Sequence, residues 1–188
     1  MRNKIIIGIA GQIASGKNVI ADYVAKKYGG VTISFSQPLR DILERLCMPI
    51  DREHLSGLTQ CLIDKFGDDF LSKIVAKEIE KSDKQIFILP NIRRETDCVH
   101  LKDNPGFILV GVEADPRKCY DRLIERGQNE DDKGKTWEQF QKDLQLSTEV
   151  SIAGLIKKSS IILENNGSLE ELYKQVDQMM EEQLNKNC

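Results

Sequence analysis

The chain has 188 residues, of which 30% are charged, and its net charge is -3. That length suits one domain whose core is large enough to fold without disulfides or structural metals. The two charge signs are mixed along the chain, whereas nucleic-acid-binding domains usually carry a basic stripe. We therefore expect no nucleic-acid partner.

The cysteines and the first apolar run indicate the compartment. No C-x-x-C pair occurs among the cysteines, which argues against a zinc site or a disulfide framework: Cys47, Cys61, Cys98, Cys119 and Cys188. A reducing compartment, the cytoplasm, is the expectation. The first apolar run is only about seven residues long, too short for a signal peptide or a membrane span.

The most specific motif lies near the N-terminus and matches the G-x-x-x-x-G-K pattern of a phosphate-binding loop (P-loop), from Gly11 to Lys17. An apolar run at 4–10 predicts a buried strand before it, and apolar residues at helical spacing follow it. Backbone N–H groups of such a loop bind a polyphosphate, and Lys17 reaches its β and γ phosphates. The residues expected to bind the nucleotide are Gly11, Ala14, Ser15, Gly16, Lys17, Asn18 and Val19.

One position departs from the P-loop signature. The residue after the lysine is normally Ser or Thr, whose hydroxyl ligates Mg²⁺, and here it is Asn18. An amide carbonyl is a hard oxygen donor that can approach Mg²⁺, but it is less compact than a hydroxyl. We expect Asn18 to contact the metal, and phosphate binding to survive the change better than catalysis.

Strand-like runs alternate with helical patterns along the chain, at 5–9, 31–35, 85–89, 107–112 and 161–163. This alternation predicts an α/β fold with a parallel sheet and helices on both faces. Three helix starts are marked in the sequence, by a capped proline at Asp115-Pro116 and by capping boxes at Thr136-x-x-Gln139 and Ser168-x-x-Glu171. The last of these begins a helix from 169 to about 184.

We expect residues 1–188 to form one domain. Two segments interrupt its alternation of strands and helices. Residues 38–83 have a helical pattern without a strand and are too long for a simple crossover, which predicts an inserted helical subdomain. Residues 126–136 form the most polar stretch, which begins at Arg126 and follows Arg117 and Arg122. This stretch is either a solvated loop or a mobile lid, whose arginines face the phosphates and exclude water.

Three further segments resemble kinase motifs. Residues 33–43, with the sequence ISFSQPLRDIL, resemble the acceptor-binding segment of adenylate kinases, in which an arginine, here Arg40, binds the acceptor's phosphate. Residues 87–95, FILPNIRRE, are similar to the third-strand motif of nucleotide kinases and place Arg93 or Arg94 beside the acceptor. Residues 122–126, 135–140 and 161–172 resemble the lid and C-terminus of dephospho-CoA kinase-like proteins. As a whole, the chain resembles adenylate-kinase-related P-loop proteins of archaea and some bacteria.

The resemblance implies a P-loop kinase of the three-layer type, with an open five-stranded parallel sheet, a helical acceptor-binding insert and a lid. It also implies transfer of the γ-phosphoryl group of ATP, with Mg²⁺, to a nucleoside or deoxynucleoside monophosphate or to a similar nucleotide-like small molecule. A dephospho-CoA-type acceptor is a variant of this hypothesis. The chain would be a monomer or homodimer. Arg126 and Asn165 then join the P-loop in binding the nucleotide, and the catalytic residues are Lys17, Arg40, Arg93, Arg122 and Arg126.

The third strand departs from the kinase pattern. Relatives place an acidic residue there, and this chain has Pro90 or Asn91, depending on which motif is aligned. Other acids could replace it near the metal: Asp41, Asp64, Glu95 and Glu113. The alternative hypothesis is a nucleotide-binding protein with degraded catalysis. A GTPase-type switch is disfavoured, because the sequence contains no Asn-Lys-x-Asp motif.

Overall fold

The computed structural model describes residues 4–127, 132 and 134–186. Within them, five parallel strands form one sheet of order β2-β3-β1-β4-β5. The strands are β1 (Ile5–Gly11), β2 (Val31–Thr32), β3 (Ile86–Leu89), β4 (Phe107–Glu113) and β5 (Ile161–Glu164). The α/β class and the five-stranded parallel sheet predicted from the sequence are therefore confirmed.

The helices cover both faces of this sheet. One follows the first strand, α1 (Lys17–Tyr28), and three lie between β2 and β3: α2 (Gln37–Arg45), α3 (Arg52–Phe66) and α4 (Phe70–Lys81). After β4 come α5 (Pro116–Arg126), α6 (Trp137–Asp143) and α7 (Ser147–Lys157), and α8 (Leu169–Lys186) follows β5. A short 3₁₀ helix covers Glu95–Cys98. In the described part of the chain, none of the helices has the length and apolar character needed to cross a membrane.

The helix starts that the sequence predicts are present. The Asp115 carboxylate accepts from the backbone N–H of Arg117 at 2.8 Å, and Thr136 and Gln139 form a reciprocal capping box. Strand β2 ends earlier than predicted, because Ser34 accepts from the backbone N–H of Ser36 and turns the chain into α2. Local hydrogen bonding of this kind competes with strand pairing.

The core has two main layers because side chains on β1 alternate between the faces of the sheet. Ile5, Ile7 and Ile9 pack against residues of α1 and α8, and we call this group of residues the first core cluster. Ile6 and Ala10 pack with α4 and α7 in the second core cluster. Strand β1 is buried along its whole length, as expected of a central strand covered on both sides.

A third, smaller cluster joins α5 and α6 to the loop between β1 and α1. Leu123 of α5 and Phe140 of α6 are fully buried there, and Ile13 and Ala14 of the loop pack against them. The helices that flank residues 126–136 are therefore attached directly to the P-loop.

Candidate active site

The loop between β1 and α1 has a backbone shaped to bind an anion. Gly16 has φ 102° and Ala14 has φ 58°, both in the left-handed region. Among the described residues, the backbone N–H groups of Gly16, Lys17 and Asn18 have no hydrogen-bond acceptor, and α1 has no side-chain cap. Free N–H groups at a helix N-terminus bind phosphate, because they point at the ligand and the helix dipole favours negative charge.

The ammonium of Lys17 lies over this loop. Its Nζ donates to the carbonyl oxygens of Gly11 at 2.6 Å and Gln12 at 2.8 Å. Burial lowers the pKa of Lys17 to about 8; Glu149 opposes this shift, while Arg93 and Arg126 add to it. The lysine therefore lies where one carboxylate and two arginines from other elements converge.

Asn165, directly after β5, ties the P-loop to α5. Its Nδ2 donates to the carbonyl oxygen of Ser15 at 2.8 Å, and its own backbone oxygen accepts from Arg122 Nη2 at 2.9 Å. Arg122 Nη1 and Ser15 Oγ are buried, and neither has a hydrogen-bond partner among the described residues. An unsatisfied buried donor costs about 1–3 kcal/mol, so Arg122 Nη1 favours a ligand rich in acceptor oxygens.

A cleft of about 1170 Å³ runs along this edge of the sheet. Sites for single small molecules usually measure about 300–1,000 Å³, so the cleft has room for a nucleotide and a second small substrate. Ser15 lies buried in the loop itself. Most of the other residues expected from the sequence line the cleft: Gly11, Ala14, Gly16, Lys17, Asn18, Val19, Arg93, Arg122, Arg126 and Asn165.

Arg40 is the expected site residue that the structure leaves outside the cleft. Leu39 and Leu43 turn one face of α2 into the core, and Arg40 lies on the exposed side of the helix. Arg94 is also exposed and is absent from the cleft lining. Arg40 thus lies outside the cleft lining, and its expected contact with the acceptor stays a prediction.

The acids suggested as metal ligands are also outside the cleft lining. Asp41 accepts from Gln37 and Asp64 from Gln60, each one helical turn away. Glu95 pairs with Lys158, and Glu113 is exposed at the end of β4.

Several residues that the sequence did not single out do line the cleft, among them Asp22, Arg52 and Glu149. Arg52 is the first residue of α3 and follows the capping residue Asp51, so nothing in its local pattern distinguishes it from a solvated arginine. Within the described part of the chain, four cleft cations have no acidic partner within 4.0 Å: Lys17, Arg52, Arg93 and Arg122. The cleft is therefore suited to a polyanion.

The segment expected to be a lid lies partly outside the described residues, which omit 128–131 and 133. At one end, Arg126 Nη2 lies 3.9 Å from Asp132 Oδ2. At the other end, Lys135 Nζ donates to Asp143 Oδ2 at 2.6 Å. The side chains of Arg126, Asp132 and Lys135 line the cleft. Both ends of the segment are thus positioned beside the P-loop.

The cleft contains oxygen donors for a metal, although the described residues include no group of three or more His, Cys, Asp or Glu that could hold one. Asn18 and Asp22 are exposed, lie one helical turn apart on α1 and line the cleft. Mg²⁺ bound with substrate phosphates needs only one or two protein oxygens, so this pair fits the ion. Of the two third-strand candidates, Pro90 is buried and Asn91 lines the cleft.

The sheet order, the P-loop after the first strand and the helices inserted after the second define a P-loop kinase fold. The chain is similar in structure to the dephospho-CoA kinase of Campylobacter jejuni, with a TM-score of 0.55 and 15% identity over 98% of this chain and 100% of that one. The shikimate kinase of Acinetobacter baumannii is also similar, with a TM-score of 0.55 and 13% identity over 97% of this chain and 94% of that one.

Two relatives align over nearly the whole sequence. A UPF0200 protein of Thermococcus kodakarensis is 24% identical over 187 residues, which cover 97% of this chain and 100% of that protein. The dephospho-CoA kinase of Fusobacterium nucleatum is 27% identical over 202 residues, which cover 94% and 97% respectively. No protein-family model matches the chain. The suspected kinship with P-loop kinases is confirmed at the level of fold.

Proposed function

We propose that this protein transfers the γ-phosphoryl group of ATP to a small nucleotide-like acceptor. The main support is the P-loop, whose free N–H groups lie in a cleft of about 1170 Å³ with unpaired cations along it. Phosphoryl transfer needs positioning and charge neutralisation rather than a protein nucleophile. The relatives named dephospho-CoA kinase favour the same chemistry.

On the donor side, each residue acts by position and charge. The loop N–H groups and Lys17 bind the β and γ phosphates, and Arg122 Nη1 supplies a further donor. Arg126, at the start of the segment expected to be a lid, adds positive charge beside Lys17. Asn18 and Asp22 would hold Mg²⁺, which supplies charge neutralisation at the β and γ oxygens when bound.

On the acceptor side, Arg93 keeps its expected role, and Arg52 takes the role expected of Arg40. Arg52 comes from the helical insert, 38–83, and Arg93 from the chain after β3, so the two approach the cleft from different elements. Nucleoside and deoxynucleoside monophosphates and dephospho-CoA-type acceptors all carry a phosphate for these arginines. The insert would then serve as the acceptor-binding part of a single domain, 1–188.

The test is a panel of monophosphate and CoA-precursor acceptors with ATP and Mg²⁺, read by ADP release and repeated for two arginine variants. Arg52→Ala should raise the acceptor KM about tenfold or more and leave the ATP KM unchanged, because a hydrogen bond to a charged group contributes about 1.5–3 kcal/mol. Arg40→Ala is the matched control, since Arg40 is also an exposed arginine of the insert. Equal losses in the two variants would contradict the assignment of Arg52.

The rival function is nucleotide binding without efficient catalysis. It is favoured by the amides at both positions where a metal contact is expected, Asn18 and Asn91. Loss of these contacts costs rate more than phosphate affinity, because the loop N–H groups remain. Calorimetric ATP binding without ADP release for any acceptor of the panel would establish this rival instead.

A further inference from the structure

Glu149 is a cleft carboxylate that the donor and acceptor roles above do not use. It lies in the first turn of α7, whose residues Ile152, Leu155 and Ile156 anchor the helix in the second core cluster. Glu149 is among the residues that line the cleft. Its Oε2 is cut off from water and has no hydrogen-bond partner among the described residues.

The charge of Glu149 acts on the phosphate-binding lysine without pairing with it. Among the neighbouring charges, Glu149 has the largest effect on Lys17, and it raises the lysine's pKa against the effect of burial. No ion pair within 4.0 Å joins the two groups. An unsatisfied buried carboxylate oxygen is costly to the fold, and such groups occur at functional sites.

The fold separates Glu149 from the place assigned to the metal. Asn18 and Asp22 belong to α1, which packs in the first core cluster on one face of the sheet, whereas α7 packs on the other face. The helices that carry the two groups therefore pack on opposite faces of the sheet. With Asn18 and Asp22 assigned to Mg²⁺, Glu149 is left for the attacking group of the acceptor.

We propose that Glu149 is the catalytic base and that the acceptor attacks through a hydroxyl group, an inference that rests on the proposed kinase function. The hydroxyl oxygen forms a bond to the γ-phosphorus while the bond from that phosphorus to the bridging oxygen of ATP breaks. The hydroxyl proton passes to the Glu149 carboxylate, and ADP leaves with the electron pair on its β-phosphate. A phosphate nucleophile would be repelled by the same carboxylate, and it has no proton that must be removed.

The experiment compares wild-type protein, Glu149→Gln and Glu138→Gln at saturating Mg²⁺, with dephospho-CoA and AMP as acceptor probes. Glu138 is the matched control because it is also a first-turn glutamate, on α6, but is exposed and outside the cleft lining. Phosphorus NMR identifies whether each product is a phosphate ester or a phosphoanhydride. Calorimetry with ATP verifies that each variant is folded and binds nucleotide.

We expect a phosphate ester as the product and a kcat for Glu149→Gln that is about 10²- to 10⁴-fold lower, the range for loss of a general base. The ATP affinity of this variant should change little, because removal of a negative charge near the phosphates and the lower pKa of Lys17 without Glu149 act in opposite directions. Glu138→Gln should keep its kcat within about twofold, since exposed charges contribute little.

Three results would overturn the assignment of Glu149. The first is a Glu149→Gln kcat within about threefold of wild type, well short of the loss that removal of a base gives. The second is a phosphoanhydride product. The third is recovery of the lost rate at higher Mg²⁺, which would make Glu149 a metal ligand. Wild-type protein that phosphorylates neither probe nor any acceptor of the wider panel would overturn the proposed function itself, and the base with it. Failure of the two proposals is thus distinguishable.

Discussion

The ammonium of Lys17 makes ATP binding dependent on pH in a predictable direction. Burial lowers its pKa to about 8 in the nucleotide-binding loop, with Glu149, Arg93 and Arg126 as weaker influences. Phosphate groups placed beside the ammonium favour its charged form and raise that pKa. Between the pKa of the free protein and that of the complex, ATP binding must therefore take up a proton.

The size of the effect follows from the free pKa. With a value near 8, Lys17 is about 90% charged at pH 7 and about 10% charged at pH 9. ATP binding should then take up roughly 0.1 proton at pH 7 and roughly 0.9 proton at pH 9, provided that the pKa in the complex lies well above 9. The apparent Kd should rise about tenfold over the same interval. Affinity is full below the free pKa and falls as the pH rises through it.

The assay is titration calorimetry at pH 7, 8 and 9 in pairs of buffers with different heats of ionisation. ATP is used without added Mg²⁺, so that metal binding does not contribute, and its terminal phosphate, whose last pKa is near 6, is already ionised at pH 8 and 9. Lys17→Arg is the control, because arginine stays charged over this range and should take up no proton. Wild-type protein that binds ATP at pH 9 without proton uptake would refute the contact between Lys17 and the phosphates.

Three further substitutions test the site and its support. Asn165→Ala removes the donor to the Ser15 carbonyl and should lower the free energy of unfolding by about 1–3 kcal/mol in urea titrations. The same substitution should weaken ATP binding. Unchanged ATP affinity would show that the loop keeps its shape without Asn165. Asn91→Asp should lower the Mg²⁺ concentration that gives half-maximal turnover, because it adds a charged oxygen to the cleft; a higher requirement would place the metal elsewhere. Phe140→Ala empties a fully buried site beside the P-loop and should cost about 3–5 kcal/mol in the same unfolding assay; a loss below about 1 kcal/mol would mean that α6 does not support the loop.

Much of the fold could be predicted from the sequence because its signals are local. The apolar run of β1 leads directly into the glycine-rich loop and then into α1, so strand, loop and helix are all specified by neighbouring residues. The Asp115 cap and the capping box of Thr136 and Gln139 are equally local, and both are present. Strand β2 is the exception, since its predicted end depends on competition between pairing with β3 and the hydroxyl of Ser34.

The acceptor side of the site could not be predicted in the same way. The motif containing Arg40 indicated an acceptor-binding residue. The direction of that side chain depends on which face of α2 is buried. Leu39 and Leu43 form the buried face, and Arg40 is not on it. Glu149 reaches the cleft because contacts distant in sequence hold α7 in the second core cluster, and Arg52 because α3 packs between α2 and α4. Their neighbours in the chain give them no distinguishing pattern.

This difference has a physical consequence for how the two substrates are recognised. The donor side is built on β1, buried along its length, and on a loop tied by Asn165 and packed against Phe140. The acceptor side depends on α3, in which none of the residues from 52 to 66 is fully buried. An element with few buried contacts moves at low free-energy cost, so we expect Arg52 to reach its final position only when an acceptor is bound. On the proposed function, we therefore expect discrimination among acceptors to depend on how well each one stabilises that position of α3, and affinity for ATP to be set by the phosphate-binding loop.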